Sequence, residues 1–224
     1  MNFIHAIDLY DFYPCHNIGI DGKLMSPGFL SKADPDGIGQ FQKQITDFSI
    51  EQLKLGHAGL GVITPRFANV CIETALLRQN KPVINGYGDE TLYSDETKEL
   101  KIKYADAELA FENIRREQFP EQVSRLACIY LAERTDEGRS LVQEMLGDHV
   151  EVMDVKIVHL FALSQVDVSW FDSYIDEAND EFIVKYWNGQ AQTDAPKWEY
   201  LLEGMIEIED NSLINVLDNG ATID

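Results

Sequence analysis

The most regular alternation of apolar and polar positions lies near the end of the chain, over residues 198–208. Read with the two-residue period of a strand, it places Tyr200, Leu202, Gly204, Ile206 and Ile208 on one face. Glu199, Leu201, Glu203, Met205 and Glu207 fall on the other, so one face is expected to bury and the other to carry carboxylates. Shorter strand-like runs cover 3–8, 126–131 and 150–163. Helical patterns lie between them. Thr64-Pro65 reads as an N-cap followed by proline at the first helical position, opening a helix to about residue 79. Its inward face is Phe67, Val70, Cys71, Thr74 and Leu77. A second helix over about 96–119 turns Tyr104, Leu109 or Ala110, Phe111 and Ile114 inward and stops at Pro120. A third spans about 136–146. Residues 26–48 read as a long polar loop feeding a short helix near 49–56, and residues 82–95 as a mobile loop. Helices early and strands late predict a mixed α+β domain.

Length sets the scale of that domain. A chain of 224 residues can bury a substantial core as a single domain spanning 1–224. A hydrophobic fraction of 45% and an aromatic fraction of 10% argue against global disorder. No apolar run reaches 18 residues and no charged-then-apolar leader is present, so neither a membrane span nor a secretion signal is expected. Cys15, Cys71 and Cys128 are odd in number and widely spaced, which suggests neither a disulfide framework nor a structural zinc site. The expected setting is a soluble protein in a reducing, cytoplasmic compartment.

The formal net charge of −21 is unevenly spread. Residues 151–224 hold 16 acidic side chains against three lysines and no arginine, a surface that repels phosphate backbones and anionic membranes. Seven basic residues lie between 101 and 150, including Arg115, Arg116, Arg125, Arg134 and Arg139. A phosphate-bearing ligand is therefore expected in the middle third, where the planar guanidinium fork suits phosphate oxygens. The alternative for most of these arginines is ion pairing with Glu112, Glu117, Glu121 and Glu137.

Several chemistries are excluded by spacing. Gly56-His57-Ala58-Gly59-Leu60-Gly61 reverses the dinucleotide fingerprint and lacks a following Lys-Ser/Thr, so it reads as a turn. Glu199 and Glu203 share a face, but four strand residues separate them by roughly 13 Å. A glycosidase pair needs about 5–9.5 Å. No Gly-x-Ser-x-Gly elbow is present for a serine triad.

Three blocks carry a resemblance. The first is Phe3-Ile4-His5-Ala6-Ile7-Asp8 with the later Gly22-Lys23-Leu24. The second is Phe111-Glu112-Asn113-Ile114-Arg115-Arg116-Glu117-Gln118-Phe119-Pro120, then Ser124-Arg125-Leu126 and Ile129-Tyr130-Leu131-Ala132-Glu133. The third is Tyr186-Trp187-Asn188-Gly189 with Trp198-Glu199-Tyr200-Leu201-Leu202-Glu203-Gly204. Together they resemble an uncharacterised bacterial and phage family related to ADP-ribosyltransferases. The resemblance implies a split β-sheet core of that type with a helical insertion at roughly 40–120, and Pro14 is expected to interrupt the first helix.

It also implies NAD as substrate and a macromolecular acceptor, nucleic acid or protein, in a setting such as toxin–antitoxin or phage–host conflict. Cleaving the nicotinamide bond develops positive charge on a ribose, which one nearby carboxylate can stabilise. Glu199, at the mouth of the last strand, matches that carboxylate, with Glu203 as the fallback. His5 matches a histidine that holds the adenosine-side ribose, and His16 is the weaker candidate. Arg125 would meet the pyrophosphate, Tyr130 would stack on nicotinamide, and Tyr186 and Trp187 would wall the site. The alternatives are an NAD hydrolase and a non-catalytic acidic module. In the module the acidic C-terminal third would dock a basic protein partner or antitoxin.

Overall fold

The computed structural model describes residues 2–8, 12–84, 88, 90–147 and 150–210. The chain opens with β1 (Phe3–Asp8), α1 (Phe12–Asp21) and β2 (Lys23–Met25). Short helices α2 (Phe29–Ala33) and α3 (Ile50–Lys54) lead to a longer helical run. That run is α4 (Pro65–Phe67), a π-helical segment (Ala68–Glu73) and α5 (Thr74–Arg78). Two-residue strands β3 (Val83–Ile84) and β4 (Glu90–Thr91) pair with each other, and α6 (Asp95–Gln118) follows. The remainder is β5 (Ile129–Glu133), α7 (Asp136–Leu146), β6 (Val150–Asp167), α8 (Ser169–Asp176), α9 (Asp180–Trp187) and β7 (Trp198–Ile208). The class is α+β, built on an antiparallel sheet.

That sheet runs β2-β7-β5-β1-β6, and β6 also pairs with β7. The double pairing is possible because β6 is 18 residues long. Its first part, Val150 to Val155, lies against β1, and its second, Val155 to Asp167, lies against β7. Strands β1, β6, β7 and β5 therefore close a ring. Register shifts between Ile157 and His159 and between Leu160 and Ala162 bend β6 where the ring turns. Gly204 sits at this bend. A Cβ there would lie 2.1 Å from the His159 carbonyl oxygen, so only glycine lets the strands approach.

The two faces of β7 go where the alternation places them. Tyr200, Leu202, Ile206 and Ile208 pack with Phe3, Ile7, Met153 and Val155, and α1 adds Ile18. Leu201 faces the other way, into a cluster of Phe111, Phe171, Ile183, Tyr186 and Trp187 from α6, α8 and α9. Phe111 is fully buried, with edge-on ring contacts at 5.0 Å to both Phe171 and Tyr186. Truncating such a ring to alanine costs about 3–5 kcal/mol. A third cluster joins Phe67, Val70 and Cys71 to Leu53, Leu109 and Leu126, fixing the 65–78 helical run onto α6.

Several expectations need correction. Residues 26–48 are not a plain loop: they contain α2 and two 3₁₀ turns, Ile38–Phe41 and Ile45–Asp47. The 82–95 segment forms the β3–β4 hairpin; residues 85–87 and 89 lie outside the described residues. The strand expected over 126–131 starts at Ile129, because Arg125–Ala127 forms a 3₁₀ turn capped by Ser124. Pro14 does not break α1; it lies in the first turn, where its missing N–H has no intrahelical partner to lose. Tyr104 is only partly covered: its ring lies 6.3 Å from that of buried Phe171, but 43% of the residue is exposed.

Candidate functional site

Two buried carboxylates on α6 organise the interior. Glu108 and Glu112 are four residues apart and lie on the face that also buries Ala105, Leu109 and Phe111. Glu112 is saturated. It accepts from Arg115 Nε at 2.9 Å and Nη2 at 2.7 Å, from Arg116 Nε at 2.7 Å and from Ser124 Oγ at 2.8 Å. Arg116 continues to the carbonyls of Phe48 and Ile45, at 2.6 and 2.7 Å. This first cluster ties the Ile45–Asp47 turn and the Ser124 turn to α6, and its role is structural.

The second cluster is different in kind. Arg125, 2% exposed, donates from Nε and Nη2 to both oxygens of Glu108, at 2.9 and 3.1 Å. Its Nη1 donates to Glu199 Oε2 at 2.8 Å and also meets the Tyr186 hydroxyl. That hydroxyl is 3.5 Å from the same Glu199 oxygen. Arg66 Nη1 bonds the Glu108 Oε1 atom from the outer side. The rings of Phe171, Tyr186 and Tyr130 surround the Arg125 guanidinium at 4.5, 5.3 and 5.6 Å. Two guanidiniums and two carboxylates thus share one apolar enclosure, the arrangement a buried charge requires.

Electrostatics follow from that enclosure. Burial opposes ionisation of Glu108, but the guanidiniums of Arg125 and Arg66 outweigh it and hold the carboxyl below its usual range. Burial pushes the Tyr130 hydroxyl well up, against the opposing pull of Arg125 and Arg66, and that hydroxyl donates to the Arg125 carbonyl at 2.8 Å. The Cys128 thiol is pushed up to about 12 by burial, which removes it as a thiolate nucleophile at neutral pH. Asp172 on α8 is raised by burial and by the nearby Glu199, with Lys197 opposing. One atom of this cluster stands apart. Glu199 Oε1 is buried and has no hydrogen-bond partner among the described residues.

Of the residues singled out in the sequence, Arg125, Tyr130, Tyr186 and Glu199 converge in this cluster. Glu199 is not at an open strand mouth; it is 4% exposed. His5 is reached only through the backbone. Its Nδ1 is 2.8 Å from the Tyr130 carbonyl, which can only accept, so Nδ1 carries the proton. The β1–β5 ladder stops at Ile4 and Ala132, and the His5 ring takes over where it lapses. His5 alternates onto the face of Phe3, whose ring meets Tyr200 at 5.1 Å, so it lies across the sheet from Glu199. Glu203 is paired with Lys32 at 2.6 Å and His16 is exposed on α1; neither joins the cluster. Trp187 lies beneath it, donating to the Phe111 carbonyl at 3.0 Å.

Residues 77–215 match a family described as protein of unknown function, DUF2441. The match covers more than half of the sequence. The chain belongs to this family. No curated protein matches it. The DUF2441 segment includes Glu108, Arg125, Tyr130, Tyr186 and Glu199, while Arg66 and His5 come from outside it. Among the described residues of this DUF2441 protein, no His, Cys, Asp and Glu group is arranged to hold a metal ion. No helix there is long and apolar enough to cross a membrane. A cavity of about 230 Å³ lies beside the β3–β4 hairpin, lined by Leu77, Lys81, Tyr93 and Lys98 but by none of Arg66, Glu108, Arg125 and Glu199.

Glu108 and Arg66 were not singled out by sequence reasoning. The signal for Glu108 was present: it recurs with Phe111, Glu112 and Arg115 at spacings of three and four along one helical face. Arg66 carried no signal beyond its place after the Thr64-Pro65 cap.

Proposed function

We propose that the chain is an NAD-dependent ADP-ribosyltransferase that modifies an intracellular macromolecule, nucleic acid or protein, with Glu199 as its catalytic carboxylate. The observation that carries this reading is the state of Glu199. One oxygen is fixed by Arg125 and Tyr186, and the other has no donor among the described residues. A carboxylate oriented through one oxygen with the second uncommitted is suited to accept a ribose hydroxyl and to face positive charge developing at C1′. In the reaction the C1′–nicotinamide bond breaks and its electron pair leaves with neutral nicotinamide. An acceptor lone pair forms the new bond to C1′, and the acceptor's proton passes to Glu199 or to solvent. The sheet bent at β6, with helices of residues 50–118 between β2 and β5, is compatible with a split-sheet core carrying a helical insertion.

The geometry changes two assigned roles. Arg125 spends Nε, Nη1 and Nη2 on protein acceptors, so it acts as a positioning residue for Glu199 rather than as a pyrophosphate ligand. His5 holds the Tyr130 carbonyl rather than a ribose. Because Glu199 is buried, substrate entry must uncover it, and the outer layer over Tyr130 is the Arg66 side chain, 26% exposed.

A second reading is favoured by the burial and charge balance of the cluster. In it the two pairs are structural and the chain is a non-catalytic acidic module. Asp172, Asp176, Glu177, Asp180 and Glu181, exposed on and between α8 and α9, would then dock a basic partner. Incubation with adenine-labelled NAD and separate pools of protein, DNA and RNA separates the readings. Label entering one pool with wild type and not with Glu199→Gln supports the transferase and names its acceptor. Free ADP-ribose alone indicates hydrolysis, and intact NAD in every pool leaves the acidic module.

A further inference from the structure

The arginines around α6 differ in how completely they are used. Arg115 donates from Nε, Nη1 and Nη2, to Glu112 and the Gln122 carbonyl. Arg116 does the same toward Glu112, Phe48 and Ile45. Arg125 engages all three nitrogens with Glu108, Glu199 and Tyr186. Arg66 engages only Nη1, with Glu108. Its Nε–Nη2 edge has no acceptor among the described residues, although the side chain is three-quarters buried.

This free edge is held in place. The Arg66 guanidinium carbon lies 4.4 Å from the centre of the Tyr130 ring, which fixes the plane, while Glu108 fixes the rotation within it. Thr64 anchors the start of the helix that carries it. The Thr64 hydroxyl accepts from the Phe67 N–H at 3.0 Å and donates to the Leu126 carbonyl at 2.9 Å, one residue beyond Arg125. A guanidinium edge fixed in this way presents two parallel donors, the geometry that matches a phosphate or carboxylate in a bidentate bond.

We propose that Arg66 is the anion-docking residue of the Glu199 cluster, taking two oxygens of a phosphate or pyrophosphate group on its Nε–Nη2 edge. The inference rests on reading that cluster as a substrate site. It reassigns the phosphate contact from Arg125, whose donors are consumed, to the neighbour whose donors are not. It also places the ligand's anionic part at the outer, accessible end of the cluster and leaves the inner end, at Glu199, for the reacting sugar.

The test is titration of the full chain with inorganic pyrophosphate, followed by calorimetry. Arg66→Gln is expected to weaken binding at least tenfold. Arg66→Lys, which keeps the charge and loses the fork, should weaken it several-fold, and Arg134→Gln, an exposed arginine outside the cluster, should leave it unchanged. Circular dichroism checks that each variant is folded, and Arg66→Lys carries the test if Arg66→Gln is not. Pyrophosphate binding that Arg66→Lys leaves untouched, or no binding by wild type, overturns the proposal. Arg66-dependent binding in a protein that never consumes NAD would retain the anion site and reject the transferase reading.

Discussion

Arg125 and Glu199, 74 residues apart in the chain, meet at 2.8 Å with 2% and 5% of their side chains exposed. The bond joins the turn before β5 to the start of β7, on the face that the helices cover. Since Arg125 also holds Glu108, it links α6 to β7 through a single guanidinium.

Arg125→Met should therefore be severe. It leaves Glu199 with no cationic partner among the described residues and Glu108 with Arg66 alone. Removing one member of a buried pair costs about 3–5 kcal/mol. Urea unfolding with an unchanged slope and a midpoint lowered to match would agree; a loss below about 1 kcal/mol would mean the pair is solvated in solution.

Acidification should destabilise the fold in two windows. His5 is held below its ordinary value of 6.5, chiefly by burial, so the unfolded chain takes up its proton first and stability falls as pH drops below about 6.5. Glu108 and Glu112 are held below their ordinary 4.5, burial being outweighed by their arginine partners. Their contribution is complete above about 4.5 and is lost as pH falls through the lowered values. Melting temperature against pH should fall in both windows, and His5→Gln should flatten only the upper one.

Gly204→Ala tests the ring closure. The new methyl meets the His159 carbonyl, a backbone atom that cannot turn aside, so β6 and β7 must separate at the bend. A loss of about 1–3 kcal/mol is expected. Equal stability would show that the β6–β7 contact is looser than described.

These variants probe features that differed in how readily they could be read from sequence. The face of β7 that carries Tyr200, Leu202, Ile206 and Ile208 was legible because alternation over 198–208 is regular and that face is buried throughout, whereas the burial of Glu199 and Leu201 on the other face was not. The Thr64 cap was legible because Pro65 removes an N–H that the helix start does not need. Helices α8 and α9 were not singled out, although Phe171, Tyr174 and Ile175 and then Ile183, Tyr186 and Trp187 recur at helical spacing. The inward stripe of α6 was misjudged at Tyr104, because Glu108, Glu112 and Arg115 occupy buried positions that an apolar count skips. The ring closure and the Arg125–Glu199 bond join distant segments, and no local period encodes them. Arg125, Tyr130 and Glu199 were picked out separately, but their common charge balance with Glu108 and Arg66 exists only in three dimensions.

The most direct measurement of the central claim is nicotinamide release from NAD by wild type and by Glu199→Gln, with cell extract supplied as a source of acceptors. Wild type should release nicotinamide, and the variant, shown to be folded by circular dichroism, should release at least a hundredfold less, the scale of losing one electrostatic stabiliser of a transition state. Equal release by the two proteins, or none by either, would contradict the assignment of Glu199 as the catalytic carboxylate.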